Sequence, residues 1–455
     1  MLLYGIILLE GFVTISLEIL TIRQLLPIMG SSVIVTSLII GIFLLFLALG
    51  YRSGGQYTNN YLRILQKNFT IAALGLGIGL SYTFIELFFQ ATQPVFPQMM
   101  LAPLCLYLLC IVAPIVFCLG QTVPIVLNLW REKLPTGKIG GKVLYLSTIG
   151  SFLGATLTAL ILLNYFGVAW SVFINFCILT ALVLSLMEIK TQTFMFISII
   201  TLGAVVYQLN VNFEKNMFIA TNNYSNFQVR LDQHSKTSYD KFLISNNHYH
   251  SCINEKNQGC LYIEKIKKIL FNDLKITRKK ILVLGAGGFT LSAENTYHNQ
   301  FTYVDIDKSL PDVIRSNFRS SIEGKFIDDD ARHYIHTTTD LYDVIINDVY
   351  NGIAIPTHLV TQEYFAEIKS KLSHHGLAVF NVIANTSLQD NYSKHMDNTI
   401  RSVFKNCMAT PLQFDSRVIS NIIYVCVKSV NEGNNDVYTD DLNRADSEYF
   451  KLEAA

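Results

Sequence analysis

Charge in this chain is concentrated after about residue 212, and the residues before it form long apolar runs. Charged residues make up 15% and hydrophobic residues 51% of the 455 residues, with a mean hydropathy of +0.35. A soluble domain carries roughly 25% charged residues. Seven runs, at about 3–22, 33–50, 70–90, 98–119, 143–164, 168–187 and 193–210, approach or reach the length of a bilayer-crossing helix. Turn residues separate them: Gly30-Ser31-Ser32, Gly54-Gly55, Pro94 with Pro97, Pro135 with Gly137, and Asn164 to Gly167. The spacing Gly150-xxx-Gly154 lets two helices approach closely, and packing is its ordinary meaning. The N-terminal run lacks a basic leader and carries Glu10, so it reads as a first span rather than a removable signal peptide.

That first run also holds Glu18 and Arg23, and Glu86 lies in the third. Charges inside a span are costly and face the bundle interior or a cavity. Either they form a polar site in the bundle, or Arg23 snorkels at the helix end while Glu18 pairs with a neighbouring helix. Basic residues gather in alternate loops: Arg52, Arg63 and Lys67; then Arg131, Lys133, Lys138 and Lys142; then Lys190. The positive-inside rule places those loops in the cytoplasm. With seven crossings the polar half then faces outward. If 193–210 does not cross, it faces the cytoplasm. In the outward case Cys252 and Cys260 can form a disulfide.

The net charge of +1 argues against nucleic acid as a partner. No CxxC pair occurs, which argues against zinc. His333 and His336 are three apart on an expected helix without a third ligand, so no metal is expected.

In the polar half, short strand-like runs at 227–231, 241–245 and 249–253 are separated by turns such as Asn246-Asn247. An amphipathic helix follows at 261–274. Strands are then expected at 281–284, 302–306, 343–349 and 376–383, alternating with helices at 308–318, 331–338, 361–372 and 389–405. Alternation of this kind means a parallel sheet covered on both faces, with ligands beyond the carboxyl ends of its strands. Candidate residues fall there. Gly285-Ala286-Gly287-Gly288-Phe289 follows the apolar run 281–284, and glycine lets backbone approach a nucleotide closely. Asp305 ends the next strand, placed to grip a ribose hydroxyl. The run Asp328-Asp329-Asp330 precedes an Ala-Arg helix, and Asp348 follows an apolar strand. Singly, each has a bland reading as turn, solvated loop or cap. Their order describes an α/β Rossmann-like domain of the class I adenosylmethionine type. The expected organisation is a helical membrane domain at 1–212, a small β-rich subdomain at 213–276, the Rossmann-like domain at 277–430 and a polar tail at 431–455. Phe289 filling the nucleoside cleft would overturn it.

These residues resemble the spermidine synthase (polyamine aminopropyltransferase) family over about 222–430. Tyr224-Ser225-Asn226-Phe227-Gln228 is similar to the family's Tyr-x-x-Tyr-Gln, and Tyr262-Ile263-Glu264 to its Tyr-Gln-Glu. Gly285 to Phe289 stands for Gly-Gly-Gly-Asp-Gly, and Val304-Asp305-Ile306-Asp307 for Val-Glu-Ile-Asp. Asp330-Ala331-Arg332 matches an adenine-site motif, 343–348 the strand ending in the catalytic aspartate, and Leu359-x-Thr361-x-Glu363-Tyr364-Phe365 a downstream segment. The apolar half is similar to the multi-spanning segment fused to some members, at Glu18, Arg23-Gln24-Leu25, Gly30-Ser31-Ser32 and Gly120-Gln121-Thr122-Val123-Pro124.

The resemblance implies transfer of an aminopropyl group from decarboxylated S-adenosylmethionine to an amine. By it, Asp348 is the general base. Gly285, Gly287, Asp305, Asp330 and Gln228 hold the donor, with Asp305 on the ribose and Asp330 on the adenine. Tyr262 and Asn351 lie on the amine side, and Gln228 helps to orient the amine. A homodimer through the soluble part is also implied, as is a multi-pass place in the cell membrane, with the lipid bilayer as partner. Three departures bear on the substrate. Gly288 replaces the acid that holds the donor's ammonium, Ile263 replaces an amide, and Asn351 replaces a second loop aspartate. Methyl or aminocarboxypropyl transfer from intact S-adenosylmethionine is the first alternative. The second is a transporter or sensor, with Glu10, Glu18 and Glu86 lining a cation route and a soluble half that binds without turnover.

Overall fold

The structure, a computed structural model, describes residues 2–29, 33–96, 99, 101–130, 136–187, 193–232, 239–293, 297–350, 355–413 and 419–428, with 438, 440 and 445. The chain divides into two compact units, one reaching Asn223 and the other starting at Tyr224.

The first unit is helical because its residues are apolar around the whole circumference. Among the described residues, four helical runs are long and apolar enough to cross a membrane: Leu2–Met29, Val33–Gly54, Leu101–Trp130 and Gly137–Ser185. The last is 49 residues long, roughly twice what one crossing needs. Its backbone breaks at Gly167, where φ is +78°. The third expected span departs from the sequence reading. It begins at Tyr61 and consists of two helices, Tyr61–Gly79 and Tyr82–Val95, bent by 71°. Ser81 causes the break: its hydroxyl caps the second helix through Phe84 N at 3.2 Å. A fifth span results if that pair is one crossing. The run 193–210 is helical, as Thr193–Tyr207 and Gln208–Asn212. Met1–Asn223 closes with a two-residue strand, β1 (Ala220–Thr221).

Glycines set the helix contacts. A Cβ on Gly150 would lie 2.1 Å from the Leu8 carbonyl oxygen, and one on Gly154 2.3 Å from that of Phe12. The Gly150-xxx-Gly154 stripe therefore seats the first helix directly against backbone, as the spacing suggests. The charges of the expected spans part ways. Glu10 is 3% exposed and accepts from Thr14 Oγ1 at 2.8 Å. Glu86 is exposed and bonded to Gln90. Arg23 does not snorkel: it is buried, and its Nε and Nη2 donate to the Asn222 carbonyl at 3.0 and 2.6 Å. The cysteines of this unit, Cys105, Cys110, Cys118 and Cys177, are unpaired thiols.

The second unit starts with an antiparallel meander, β2 (Asn226–Leu231), β3 (Lys241–Ser245) and β4 (His248–Ile253). Asn246 and Asn247 turn the chain with φ of +52° and +65°, a left-handed pair that matches the twist of a hairpin. A helical segment, Leu261–Lys267 continuing to Asp273, leads into the main sheet. Its strands are β5 (Lys280–Leu284), β6 (Gln300–Asp305), β7 (Lys325–Asp328), β8 (Tyr342–Asn347), β9 (Leu372–Asn385), β10 (Cys407–Pro411) and β11 (Ile419–Val427). The spatial order is β10-β11-β9-β8-β5-β6-β7.

From β7 to β9 neighbouring strands are parallel, but β11 runs antiparallel to β9 and β10 to β11. The sheet is thus mixed, not wholly parallel as the alternation suggests. The segment between β10 and β11 is too short for a crossover, so that pair can only be antiparallel. Apolar side chains of the central strands, among them Leu282, Leu284, Val304, Ile345 and Ala378, are fully buried. Each large one contributes about 1.5–3 kcal/mol by leaving water. After β7 the chain crosses β5 and β6 to enter as β8. The order therefore reverses between β5 and β8, and their carboxyl ends open the crevice where ligands bind in open α/β sheets.

Candidate active site

Two backbone bonds build the floor of that crevice. Gly285 N donates to the Val304 carbonyl and Asp348 N to the Leu284 carbonyl, each at 2.9 Å. They draw the residues following β5 between the ends of β6 and β8. The approach is so close that a Cβ on Gly285 would lie 2.1 Å from the Asp348 carbonyl oxygen. Gly285 and Gly287 have φ of +85° and +51°, a region that side chains disfavour. Phe289 does not stand in the crevice. It is fully buried, with its ring 4.8 Å from that of Tyr303 and 6.0 Å from that of Phe326.

Asp305, at the end of β6, accepts from Ala286 N at 2.9 Å and from Asp307 N at 3.0 Å. The acid and the glycine turn are thereby one rigid piece. Burial pushes its carboxyl above the ordinary range, opposed by those two N–H groups and by His250. Asp348 accepts from Asn381 Nδ2 at 2.8 Å and from the Tyr262 hydroxyl. Burial raises its carboxyl too, against those bonds and the nearby His250. Tyr262 is pushed well above the usual phenol range, first by burial and then by the Asp348 charge. It therefore stays a donor. A desolvated carboxylate held by two neutral donors is a proton acceptor with more strength than an aspartate in water.

Asp330 stands apart from this group. It is the N-cap of helix Ala331–Thr337, accepting from Arg332 N at 2.9 Å and His333 N at 3.0 Å. His358, 3.4 Å from its second oxygen, is the main cause that lowers it to about 2, with the two helix N–H groups adding. On the β7 side of the crevice, the neighbouring Asp329 N donates to the Asp305 carbonyl at 3.1 Å. Asp329 takes His333 Nδ1 at 2.7 Å. Gln228 is half-buried in β2, opposite Ile244. Asn351 lies outside the described residues.

Three residues of the site escape a reading by motif. Asn381, 2% exposed in the middle of β9, holds Asp348 and is itself held by Asn421 Nδ2 at 2.9 Å. A lone amide inside the apolar run Val379-Phe380-Asn381-Val382 is the signal that could have revealed it. His250 and Ser251 come from β4, with no motif of their own. Ser251 fills the space beside the glycine turn: a Cβ on Gly288 would meet Ser251 Oγ at 2.5 Å and Phe318 Cε1 at 2.7 Å.

A sheet of this order, with a glycine turn and acids at its switch point, defines a Rossmann-like domain. Residues 259–436 match the Spermine/spermidine synthase domain family. It is similar to a polyamine aminopropyltransferase of Vibrio vulnificus, 30% identical over 189 residues, covering 37% of this chain and 62% of the relative. A polyamine aminopropyltransferase of Lachnospira eligens is 24% identical over 182 residues, covering 38% and 61%. The chain thus spans about three fifths of the length of these two relatives. Among solved structures, a probable spermidine synthase from Corynebacterium glutamicum superposes with a TM-score of 0.40 at 25% identity, covering 47% of this chain and 80% of the other.

The acid side of the pH profile should report Asp348. A carboxylate acting as a base must be ionised in the bound complex, and burial raises the Asp348 carboxyl. So kcat should fall as pH drops through an apparent pKa above the ordinary aspartate value of about 3.9. For stability the sign is opposite. The folded state holds this proton above the unfolded pKa, so the Asp348 contribution diminishes as pH rises through the raised value. A pH–kcat profile under donor saturation, flat down to pH 4, would exclude Asp348 from the titrating step.

Proposed function

We propose that this protein is a membrane-bound aminopropyltransferase-like enzyme. It transfers a propylamine group from decarboxylated S-adenosylmethionine to an amine. The observation that carries the reading is the position of Asp348: at the switch point, beside the glycine turn and the Asp305 carboxylate, desolvated and held by Asn381 and Tyr262.

In this reading Gly285 and Gly287 admit the nucleoside, Asp305 takes ribose hydroxyls, and Asp330 offers its outer edge to the adenine amino group. An ammonium has no lone pair, so the acceptor first gives a proton to Asp348. Its nitrogen then attacks the carbon beside the sulfonium. The C–S electron pair returns to sulfur, and neutral methylthioadenosine leaves. Tyr262 keeps the Asp348 carboxylate turned toward the incoming nitrogen. The helical unit up to Asn223 holds the enzyme in a bilayer, which its long apolar helices support by length and composition.

One observation favours a second reading. Ser251 and Phe318 occupy the space an acid at position 288 would need, so no carboxylate there repels an intact methionine tail. Incubating the purified full-length protein with decarboxylated or intact S-adenosylmethionine and a panel of amines decides. Methylthioadenosine from the decarboxylated donor is the expected product. Its release from the intact donor alone indicates aminocarboxypropyl transfer, and adenosylhomocysteine indicates methyl transfer. Absence of any product with every pair would remove the enzymatic reading.

A further inference from the structure

All four described cysteines of the second unit are paired. Cys407 and Cys426 face each other across the β10–β11 ladder at the edge of the sheet. Cys252 and Cys260 form the other bridge, and it lies beside the candidate site.

Cys252 is in β4, two residues after His250 and one after Ser251. His250 faces both Asp305 and Asp348, and Ser251 faces Gly288. Cys260 immediately precedes helix Leu261–Lys267, at the position whose side chain would ordinarily cap the helix but makes no cap bond here. Two residues later Tyr262 donates to Asp348. The bridge therefore joins the strand carrying one wall of the site to the helix carrying the other. The loop between them is also held by an Ile253–Gly259 pair, by Glu264, whose carboxylate accepts from Gly259 N at 2.8 Å, and by the Asn254 and Gln258 side chains. The Asn254–Gln258 side-chain bonds are exposed, and water competes for exposed hydrogen bonds. Gly259 itself is tightly packed, since a Cβ there would meet Ile263 at 2.9 Å and Thr290 at 3.2 Å. A shift of this loop is thus passed to the Tyr262 helix and to the residue after Phe289.

We propose that Cys252 and Cys260 are positioning residues. Their cystine is a redox-dependent clamp that seats Tyr262 on Asp348 and so sets the efficiency with which the acceptor amine is used. The proposal rests on the reading of Asp348 as the base. The bridge opens by exchange with a dithiol: two electrons and two protons pass to the cysteines, and the dithiol leaves as its own disulfide. The clamp is closed in an oxidising compartment and open in a reducing one.

The test uses the full-length protein in detergent, with and without dithiothreitol. Wild type should lose about ten- to a hundredfold in kcat/KM for the amine on reduction, the scale of a sub-ångström to 1 Å misplacement. Affinity for methylthioadenosine should stay within about threefold, because Asp305 and the glycine turn do not depend on Tyr262. Cys252→Ala with Cys260→Ala should start at the reduced value and ignore dithiothreitol. Cys407→Ala with Cys426→Ala should keep the full response. In a Tyr262→Phe background the response should vanish, which a merely structural bridge would not predict. Hydrogen exchange of the amides at 261–267, faster on reduction, gives a readout independent of turnover. Unchanged exchange overturns the clamp whatever the activity. Faster exchange with no turnover of any donor overturns the enzymatic reading and leaves the clamp standing.

Discussion

Asp348→Asn is expected to lower kcat by about 10²–10⁴, the usual contribution of a positioned base, with methylthioadenosine affinity changed less than about threefold. The substitution keeps the shape of the side chain and, through its carbonyl oxygen, the bond from Asn381. It replaces the other oxygen by an NH2, which cannot accept from Tyr262 and cannot take a proton from an ammonium. Removing the charge from a partly desolvated position favours the fold, since burial is the largest cause of the raised Asp348 carboxyl, and this offsets the loss of the acceptor for the Tyr262 hydroxyl, so the melting temperature should change little. Loss of activity with an unchanged or raised melting temperature is therefore the signature of a base. Loss of both would point to a structural acid. Turnover within twofold of wild type would require another acceptor for the proton, and His250, close to both carboxylates, would be the first to examine.

The parts of this site that are legible in sequence are those placed by local chain geometry. Gly285, Asp305 and Asp348 each follow an apolar run, and an apolar run that ends in a turn says that the next residue leaves a buried strand. The rest depends on pairing between distant segments. Asn381 reaches Asp348 only because β9 lies beside β8. His250 and Ser251 arrive from a meander whose docking no periodicity records. β7, Lys325–Asp328, was hidden because it is short, has only Phe326 and Ile327 as apolar residues, and runs into the aspartates. β10 and β11 were hidden by distance from any motif. In the apolar half, hydropathy located the runs but not the 71° bend at Ser81, since a serine cap inside an apolar run barely lowers its mean hydropathy. The Gly150-xxx-Gly154 spacing was readable, whereas its partner, the backbone at Leu8 and Phe12, was not.

Gly285→Ala should be the most damaging of the small substitutions in the turn, and Gly287→Ala is its control. Both glycines have positive φ, which costs a side-chain residue about 1–2 kcal/mol. At Gly287 that is the whole cost, because the nearest atom to a Cβ is the His250 carbonyl oxygen at 3.9 Å. At Gly285 the Cβ would stand 2.1 Å from the Asp348 carbonyl oxygen and 2.8 Å from its carbon. Backbone must yield, and such overpacking adds about 1–3 kcal/mol. The atoms that yield belong to the residue assigned as base, at the end of a strand with no slack. Thermal unfolding should thus place Gly285→Ala about 1–3 kcal/mol below Gly287→Ala. The difference in kcat should be larger than stability alone explains, about a hundredfold for a displacement near 1 Å. Equal unfolding and equal kcat in the two variants would mean that the turn does not press on Asp348. The base would then owe its position to Asn381 and Tyr262 alone.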